Sequence, residues 1–407
     1  MSDRSAVVIG GGITGTLTAC RLAEAGFRVT LLEGAHLGAG SSSRSAAGIR
    51  QQFSTPDTVR AMRYSVAFYR DFARWSGANN IPIVQSGYLF LYDDAAAWSA
   101  AVARVDVQRA AGLAEVRALA GQALRDAFPW ADGEALVGGT FCPTDGFLMP
   151  QIVYNDAADY ARRLGVTVVQ RARVVGGAAQ GGRLQAVHTA RGTYAADLFL
   201  DCTNAWTLRL GAALGASPLP VDPLKRYLWF LRRGPDVSAS VLSAMPLCIA
   251  PTGAYFRPEN ADTLLLGKKH DTPPQPRFTD DEQDRIEPPF AHTSGVEAVP
   301  YGVWGDAAEA VPMLGSLAGV VATTAGFYAT TPDHNPYLGY DLALHNLIRL
   351  VGFSGHGAML GPFTAAVGLA LAEAGGPVDH LRLGDADVSL APFALGRAFD
   401  HSEAMVL

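Results

Sequence analysis

The chain opens with an apolar run that breaks into glycines, Val7-Val8-Ile9-Gly10-Gly11-Gly12-Ile13-Thr14-Gly15. Gly10, Gly12 and Gly15 fit the spacing GxGxxG. Residues 6–9 read as a short buried strand and 14–25 as a helix that stops at Gly26. The run Arg28-Val29-Thr30-Leu31-Leu32-Glu33 reads as a second strand. In such a strand–turn–helix–strand setting the first glycine permits the turn and the second lets backbone N–H groups approach a pyrophosphate. The third lets helix and strand pack closely. The helix N-terminus then faces the phosphates with its positive end. Glu33, 18 residues after Gly15, is placed to accept hydrogen bonds from ribose hydroxyls. An adenine dinucleotide follows from this pattern, but the loop alone does not separate FAD from NAD.

A chain of 407 residues exceeds the usual size of one hydrophobic core, so two domains are expected. With 49% hydrophobic and 17% charged residues it has the composition of a compact enzyme. The net charge of −6 and the lack of a dense basic stripe argue against nucleic acid as a partner. No secretory pattern or uninterrupted apolar stretch of spanning length is read. Cys20, Cys142, Cys202 and Cys248 form no CxxC pair, which argues against a metal site and suits a reducing cytoplasm.

Further along, Thr55-Pro56 caps a helix carrying Val59, Met62, Val66, Tyr69 and Phe72. Residues 81–150 mix short strands with alanine-rich helices around 95–127. A helix through 157–164, a strand at 166–170 and paired strands ending at 197–201 come next. Residues 218–270 read as an antiparallel sheet, and 272–289, with PPQP and EPP, as a surface loop. The turn Gly352-Phe353-Ser354-Gly355-His356-Gly357 precedes a small-residue helix to about Ala374. The expected fold is α/β: a Rossmann-like dinucleotide domain built from 1–80, 151–215 and 326–385. An α+β substrate domain with an antiparallel sheet, 81–150 and 216–325, interrupts it, and 386–407 form a C-terminal tail.

Four stretches in this order, VVIGGGITG, GAGSSSRSAAGIRQQF, FYATTPDHNPYLG and GFSGHG, resemble the FAD-dependent amine oxidoreductases related to sarcosine oxidase and D-amino acid oxidase. RSAAGIRQQFS is most similar to the subgroup called FAD-dependent oxidoreductase domain-containing proteins. CPTDGFLMP and the strand before Asn204-Ala205-Trp206 extend the likeness over nearly the whole chain. The resemblance implies that Gly10, Gly12, Ile13, Thr14, Gly15 and Glu33 hold FAD. It adds Ser42, Ser43, Arg44, Ala47, Gly48 and Val174 to that set, and places Gly352, Gly355, His356, Gly357 and Met359 beside the flavin. It also implies that Arg50 holds a substrate carboxylate and that Tyr255 and Tyr328 line the pocket. Arg257 and His270 flank the same sheet as secondary candidates, and Asp333-His334-Asn335 shapes a turn.

The chain departs from that pattern in three places. Gly326 and Ser45 stand where relatives attach flavin covalently, so the FAD is expected to be noncovalent. Leu265 replaces a lysine that promotes reaction with oxygen, with Lys268 and Lys269 nearby in sequence. Met359 replaces a lysine that helps hold carboxylate. A dehydrogenase passing electrons to a quinone or an electron-transfer protein, with a secondary amine (an N-methyl or cyclic imino acid) as substrate, is the resulting expectation. The alternatives are a D-amino acid dehydrogenase, a true oxidase, or an assembly factor that keeps FAD for structure. An NAD-dependent opine-type dehydrogenase would not need GFSGHG.

Overall fold

The computed structural model describes residues 4–295, 297–400 and 402–405; the other positions of the expected first segment, substrate segment and tail lie outside it. A six-stranded sheet runs in the order Tyr337–Tyr340, Leu347–Val351, Leu198–Asp201, Ser5–Ile9, Arg28–Leu32, Thr167–Val169. Its pairs are parallel except the edge pair Tyr337–Tyr340 with Leu347–Val351. Ser5–Ile9 is buried at every position, as a central strand covered on both faces must be. The chain order reverses on either side of Ser5–Ile9, and the glycine loop leaves from its carboxyl end, where open α/β sheets bind ligands. Leu198–Asp201, expected as part of a hairpin block, leaves that block to pair with Ser5–Ile9. The hairpin block itself is a separate three-stranded sheet, Val174–Gln180, Arg183–Thr189 and Gly192–Ala195.

Helix Ile13–Glu24 packs against helix Gly357–Ala374 through small residues. A Cβ at Gly361 would stand 2.7 Å from Ile13 Cγ2, and one at Gly368 would stand 3.4 Å from Thr18 Cγ2. Among the described residues Gly357–Ala374 is the one helix long and apolar enough to cross a membrane, and 61% of that stretch is buried inside the fold.

The second sheet has eight strands in the order Gly319–Thr330, Asp222–Arg232, Thr263–Gly267, Tyr255–Asn260, Leu247–Ile249, Tyr88–Tyr92, Gly138–Cys142, Arg117–Ala120. It is antiparallel except where Leu247–Ile249 meets Tyr88–Tyr92. Side chains alternate along Asp222–Arg232, as strand geometry requires. Tyr227, Trp229 and Leu231 pack toward helix Val299–Ala310, whereas Leu228 and Phe230 join Tyr88, Leu247, Tyr255 and Leu265 on the opposite face. Gly319–Thr330 runs without a break through residue 326.

One expectation is corrected. Residues 272–289 are not only a surface loop: Thr279 begins a helix, Asp280–Asp284, with a reciprocal Thr279–Glu282 capping box. Arg44 pairs with Asp284 at 2.7 Å and Arg209 with Asp280 at 3.1 Å, which fixes that helix against the dinucleotide loop. The tail expected at 386–407 packs against the fold in its described residues. Ala386–Ser389 pairs with His380–Leu383, and Glu403 is buried, accepting from Ser54 N at 2.9 Å and from Ser54 Oγ at 2.6 Å.

Candidate active site

A cavity of about 300 Å³ opens at the carboxyl end of Ser5–Ile9. Gly10 has φ +109°, and a Cβ there would lie 2.7 Å from Cys202 O. A Cβ at Gly15 would lie 1.8 Å from Gly10 O, so this glycine does not reach the cavity but brings the helix onto the turn. Helix Ile13–Glu24 begins with no side-chain cap and no acid in its first turn, which leaves its positive end open to the cavity. Ile13 N donates to Ser42 Oγ at 3.2 Å, tying the serine turn to the helix. Glu33 lines the cavity with both oxygens in use: Oε2 accepts from Gly11 N at 2.7 Å and Oε1 from Ala35 N at 2.8 Å. Each carboxylate oxygen keeps a further lone pair for a ribose hydroxyl.

Gly12, Thr14, Ser42, Arg44 and Val174 also line this cavity. Ser43 does not. It is exposed, and Ser41, whose Oγ donates to Phe327 O at 2.6 Å, faces inward in its place. Arg44 Nη1 donates to Gly40 O at 3.1 Å, so it braces its own turn. Asp280, Gln283 and Asn204 are wall residues that sequence reasoning did not assign to the site. Thr279-x-x-Glu282 was the available signal for the first two, a helix-start signature hidden among prolines.

Asn204 organises the late glycine turn, accepting from Gly352 N at 3.1 Å and Phe353 N at 3.4 Å. Gly352 (φ +81°) lines neither cavity and serves the bend alone. Gly355 (φ +93°) lies beneath Tyr328, where a Cβ would stand 2.5 Å from the ring. Helix Gly357–Ala374 starts at His356 with no side-chain cap or acid in its first turn, and Gly357 lines the large cavity. Two helix N-termini therefore converge on it, an arrangement that suits an anionic dinucleotide.

A second cavity, about 40 Å³, adjoins the first through Ser45, Tyr328 and Gly355, which line both. Arg50, Tyr255, His356, Met359, Ala47 and Gly48 complete most of its wall. Ala47 and Gly48 thus face the small cavity and not the large one expected for them. Arg50 is wholly buried, with its guanidinium carbon 4.0 Å from the Phe53 ring centroid. Its Nη1 donates to Gln52 O, its Nη2 to Met405 O, and its Nε is buried without a partner. Nη2 is also 3.3 Å from His356 Nε2. Burial, then the Arg50 charge, hold the His356 pKa well below its ordinary value. The Tyr255 and Tyr328 hydroxyls are hydrogen-bond partners, and burial raises both phenols.

The secondary candidates are placed elsewhere. Arg257 Nε donates to Ala46 O at 2.8 Å and its Nη1 pairs with Glu259 at 2.7 Å, so it steadies the loop before Arg50 from outside the cavity. His270 packs edge-on to Trp229 and Phe290 and lines neither cavity. Lys268 turns to Asp306 at 2.6 Å. Asp333 is held by Arg397 at 2.7 Å and shapes its turn. Arg226 was missed. It is buried on the face of Asp222–Arg232 that carries Leu228 and Phe230, with its guanidinium carbon 5.5 Å from the Tyr328 ring centroid. A basic pair inside the otherwise apolar run Leu224-Lys225-Arg226-Tyr227-Leu228-Trp229 was the signal for it.

The family profile described as FAD dependent oxidoreductase matches residues 5–371. The chain belongs to this family. Its members use FAD, and the uncapped helix ends, the glycine turn and Glu33 around the large cavity fit that cofactor. The chain is 28% identical over 415 residues to FAD-dependent oxidoreductase domain-containing protein 1 of Bos taurus, covering 90% of this chain and 80% of that protein. It is 26% identical to glycine oxidase of Geobacillus kaustophilus over 96% of each. Among solved structures, L-proline dehydrogenase from P. horikoshii superimposes with a TM-score of 0.79 at 26% identity, covering 92% of this chain and 95% of that one.

Proposed function

We propose that the chain oxidises an amino acid at its C–N bond, giving an imine, with a secondary amine such as an N-methyl or cyclic imino acid preferred. The observation that carries this reading is the buried guanidinium of Arg50 in a small cavity whose walls Ser45, Tyr328 and Gly355 are shared with the dinucleotide cavity. Glycine oxidase and L-proline dehydrogenase, by their names, act on amino acids, which supports the substrate class. Bound FAD would supply the hydride acceptor for the substrate carbon. The chain's own part is to bind and orient. Arg50 offers Nε, and Nη2 once a carboxylate displaces the Met405 carbonyl, because a charged acceptor binds more strongly than a neutral one. Tyr328 and Tyr255 close the wall with a shared hydroxyl pair, and neutral His356 adds no second positive charge beside Arg50. The division into a dinucleotide part and a substrate part joined at this wall is the domain organisation we propose.

The face of the eight-stranded sheet toward the site carries Leu228, Phe230 and Leu265, so no cation from Leu265 stabilises superoxide as it forms. We therefore favour an electron acceptor other than oxygen, a quinone or an electron-transfer protein. The buried charge of Arg226 beside Tyr328 is the observation that favours the second reading, a true oxidase. Glycine, sarcosine, L-proline and a set of D-amino acids mixed with the yellow protein without air decide the main point. At least one should bleach the flavin within seconds. A protein bleached by none would contradict catalysis of this class, and would leave FAD a structural role in assembly. Oxygen uptake with the bleaching substrate then separates oxidase from dehydrogenase.

A further inference from the structure

The stretch CPTDGFLMP has no role in the reading above, yet its aspartate is wholly buried directly behind the Arg50 loop. Asp145 lies between strands Gly138–Cys142 and Gly146–Leu148. Its Oδ1 accepts from Gln51 N and Gln51 Nε2, both at 2.9 Å, and its Oδ2 accepts from Gln52 Nε2 at 3.2 Å. Gln52 Nε2 also donates to Tyr88 O at 3.0 Å, while Gln52 O accepts from Arg50 Nη1. The Asp145 carbonyl holds Gly87 N at 2.9 Å, so the same residue fixes the start of the Tyr88 strand. One acid thus grips both residues that follow Arg50 and, through Gln52, the aromatic wall beside it.

Amide donors and the Cys142 thiol hold this carboxylate, and burial pushes its pKa up to about 6, so above that pH it stays charged at a desolvation cost that a neutral residue would avoid. Among the described residues Arg50 pairs with no carboxylate, although it too is wholly buried. We propose that Asp145 is the positioning residue for Arg50: it holds the side-chain amide of Gln52, whose backbone carbonyl takes Arg50 Nη1, and its charge balances the buried guanidinium without occupying the fork that a substrate carboxylate needs. This rests on the reading of Arg50 as the carboxylate clamp. An acid in direct contact would compensate the charge but block the fork, and no acid at all would leave an uncompensated cation in an apolar pocket. An asparagine at 145 could still accept from Gln51 N, but its NH2 would face the NH2 of Gln52 and its charge would be absent.

The test uses the FAD-loaded full chain and the non-oxidisable probe pyrrole-2-carboxylate, with pyrrole-2-carboxamide as its neutral counterpart, each read by the change in flavin absorbance. Asp145→Asn should weaken the Kd of the carboxylate by about tenfold, a loss on the scale of one hydrogen bond to a charged group. It should leave the carboxamide and the FAD content near wild type. In turnover KM for the amino acid should rise more than kcat falls. Gln52→Met keeps the acid and the Gln52 carbonyl but removes the donor that joins them, and should likewise weaken the carboxylate while leaving the carboxamide near wild type; it carries the test if Asp145→Asn does not fold. Equal losses for carboxylate and carboxamide would mean a collapsed cavity and overturn the proposal. Unchanged carboxylate binding in these variants, with Arg50→Ala losing it, would overturn the role of Asp145 and leave Arg50 standing. If Arg50→Ala also binds the carboxylate normally, the clamp reading itself falls.

Discussion

Arg50 Nη2 stands 3.3 Å from His356 Nε2, with both side chains shielded from solvent. The guanidinium is a donor only, so the imidazole nitrogen facing it accepts and the ring is neutral. This fixes the sign of a pH effect. His356 titrates near 6.5 in the unfolded chain and well below that in the fold, so the unfolded state gains the extra proton. The stabilising contribution is complete above pH 6.5 and is lost as pH falls below it, by about 1.4 kcal/mol per pH unit. His356→Gln, which does not titrate, should show a flatter dependence of Tm on pH between about 7.5 and 5 than wild type. Parallel profiles would show that His356 carries charge in the folded protein.

Glu33→Ala should weaken FAD binding by about tenfold or more, since a hydrogen bond to a charged acceptor contributes roughly 1.5–3 kcal/mol. The structure adds a second cause: the substitution strips Gly11 N and Ala35 N of their acceptor and loosens the glycine turn. Equilibrium titration of the apoprotein with FAD measures this, and an unchanged Kd would remove Glu33 from the site.

Gly355→Ala tests the contact with Tyr328. The alanine would need φ +93° and would place its Cβ 2.5 Å from the ring, so either the turn or the tyrosine must move. Turnover should drop by about tenfold. Gly15→Ala puts a Cβ 1.8 Å from Gly10 O and should instead yield protein that purifies without colour. If the two variants behaved alike, the late turn would have no part separate from cofactor retention.

The flavin should come free on acid precipitation, colouring the supernatant. Gly326 and Ser45 offer no thiol or imidazole for a covalent link, and a Cβ at Gly326 would already stand 2.8 Å from Arg44 Cβ. Colour that stays with the pellet would contradict this.

Much of this architecture is written locally. The strand–glycine–helix unit at 5–32, the acid after it and the late glycine turn each depend on residues a few positions apart, and the structure places them at one cavity. Contacts between distant segments were not legible. Glu403 reaches Ser54 across 349 positions, and Met405 caps Arg50 across 355, with no local pattern to announce either. Arg257 and His270 had the right residue types on the right sheet. Arg257 shares the face of Tyr255 but is drawn to Ala46 O and Glu259, and His270, beyond the end of strand Thr263–Gly267, packs between Trp229 and Phe290. Arg226 and Asp145 were overlooked for the opposite reason: each is a charged residue buried deeply enough to look out of place in its sequence.

The account stands or falls on Arg50. With the amino acid that best bleaches the flavin as substrate, Arg50→Ala should lower kcat/KM by about tenfold or more, the loss expected from a charge-assisted hydrogen bond. The matching amine without its carboxylate should be oxidised by variant and wild type at nearly the same rate, with FAD content unchanged. Arg50→Lys should recover only part of the loss, because an ammonium keeps the charge but not the planar fork. Equal losses on both substrates, or no loss on either, would contradict the assignment of Arg50 as the carboxylate clamp and with it the amino-acid substrate.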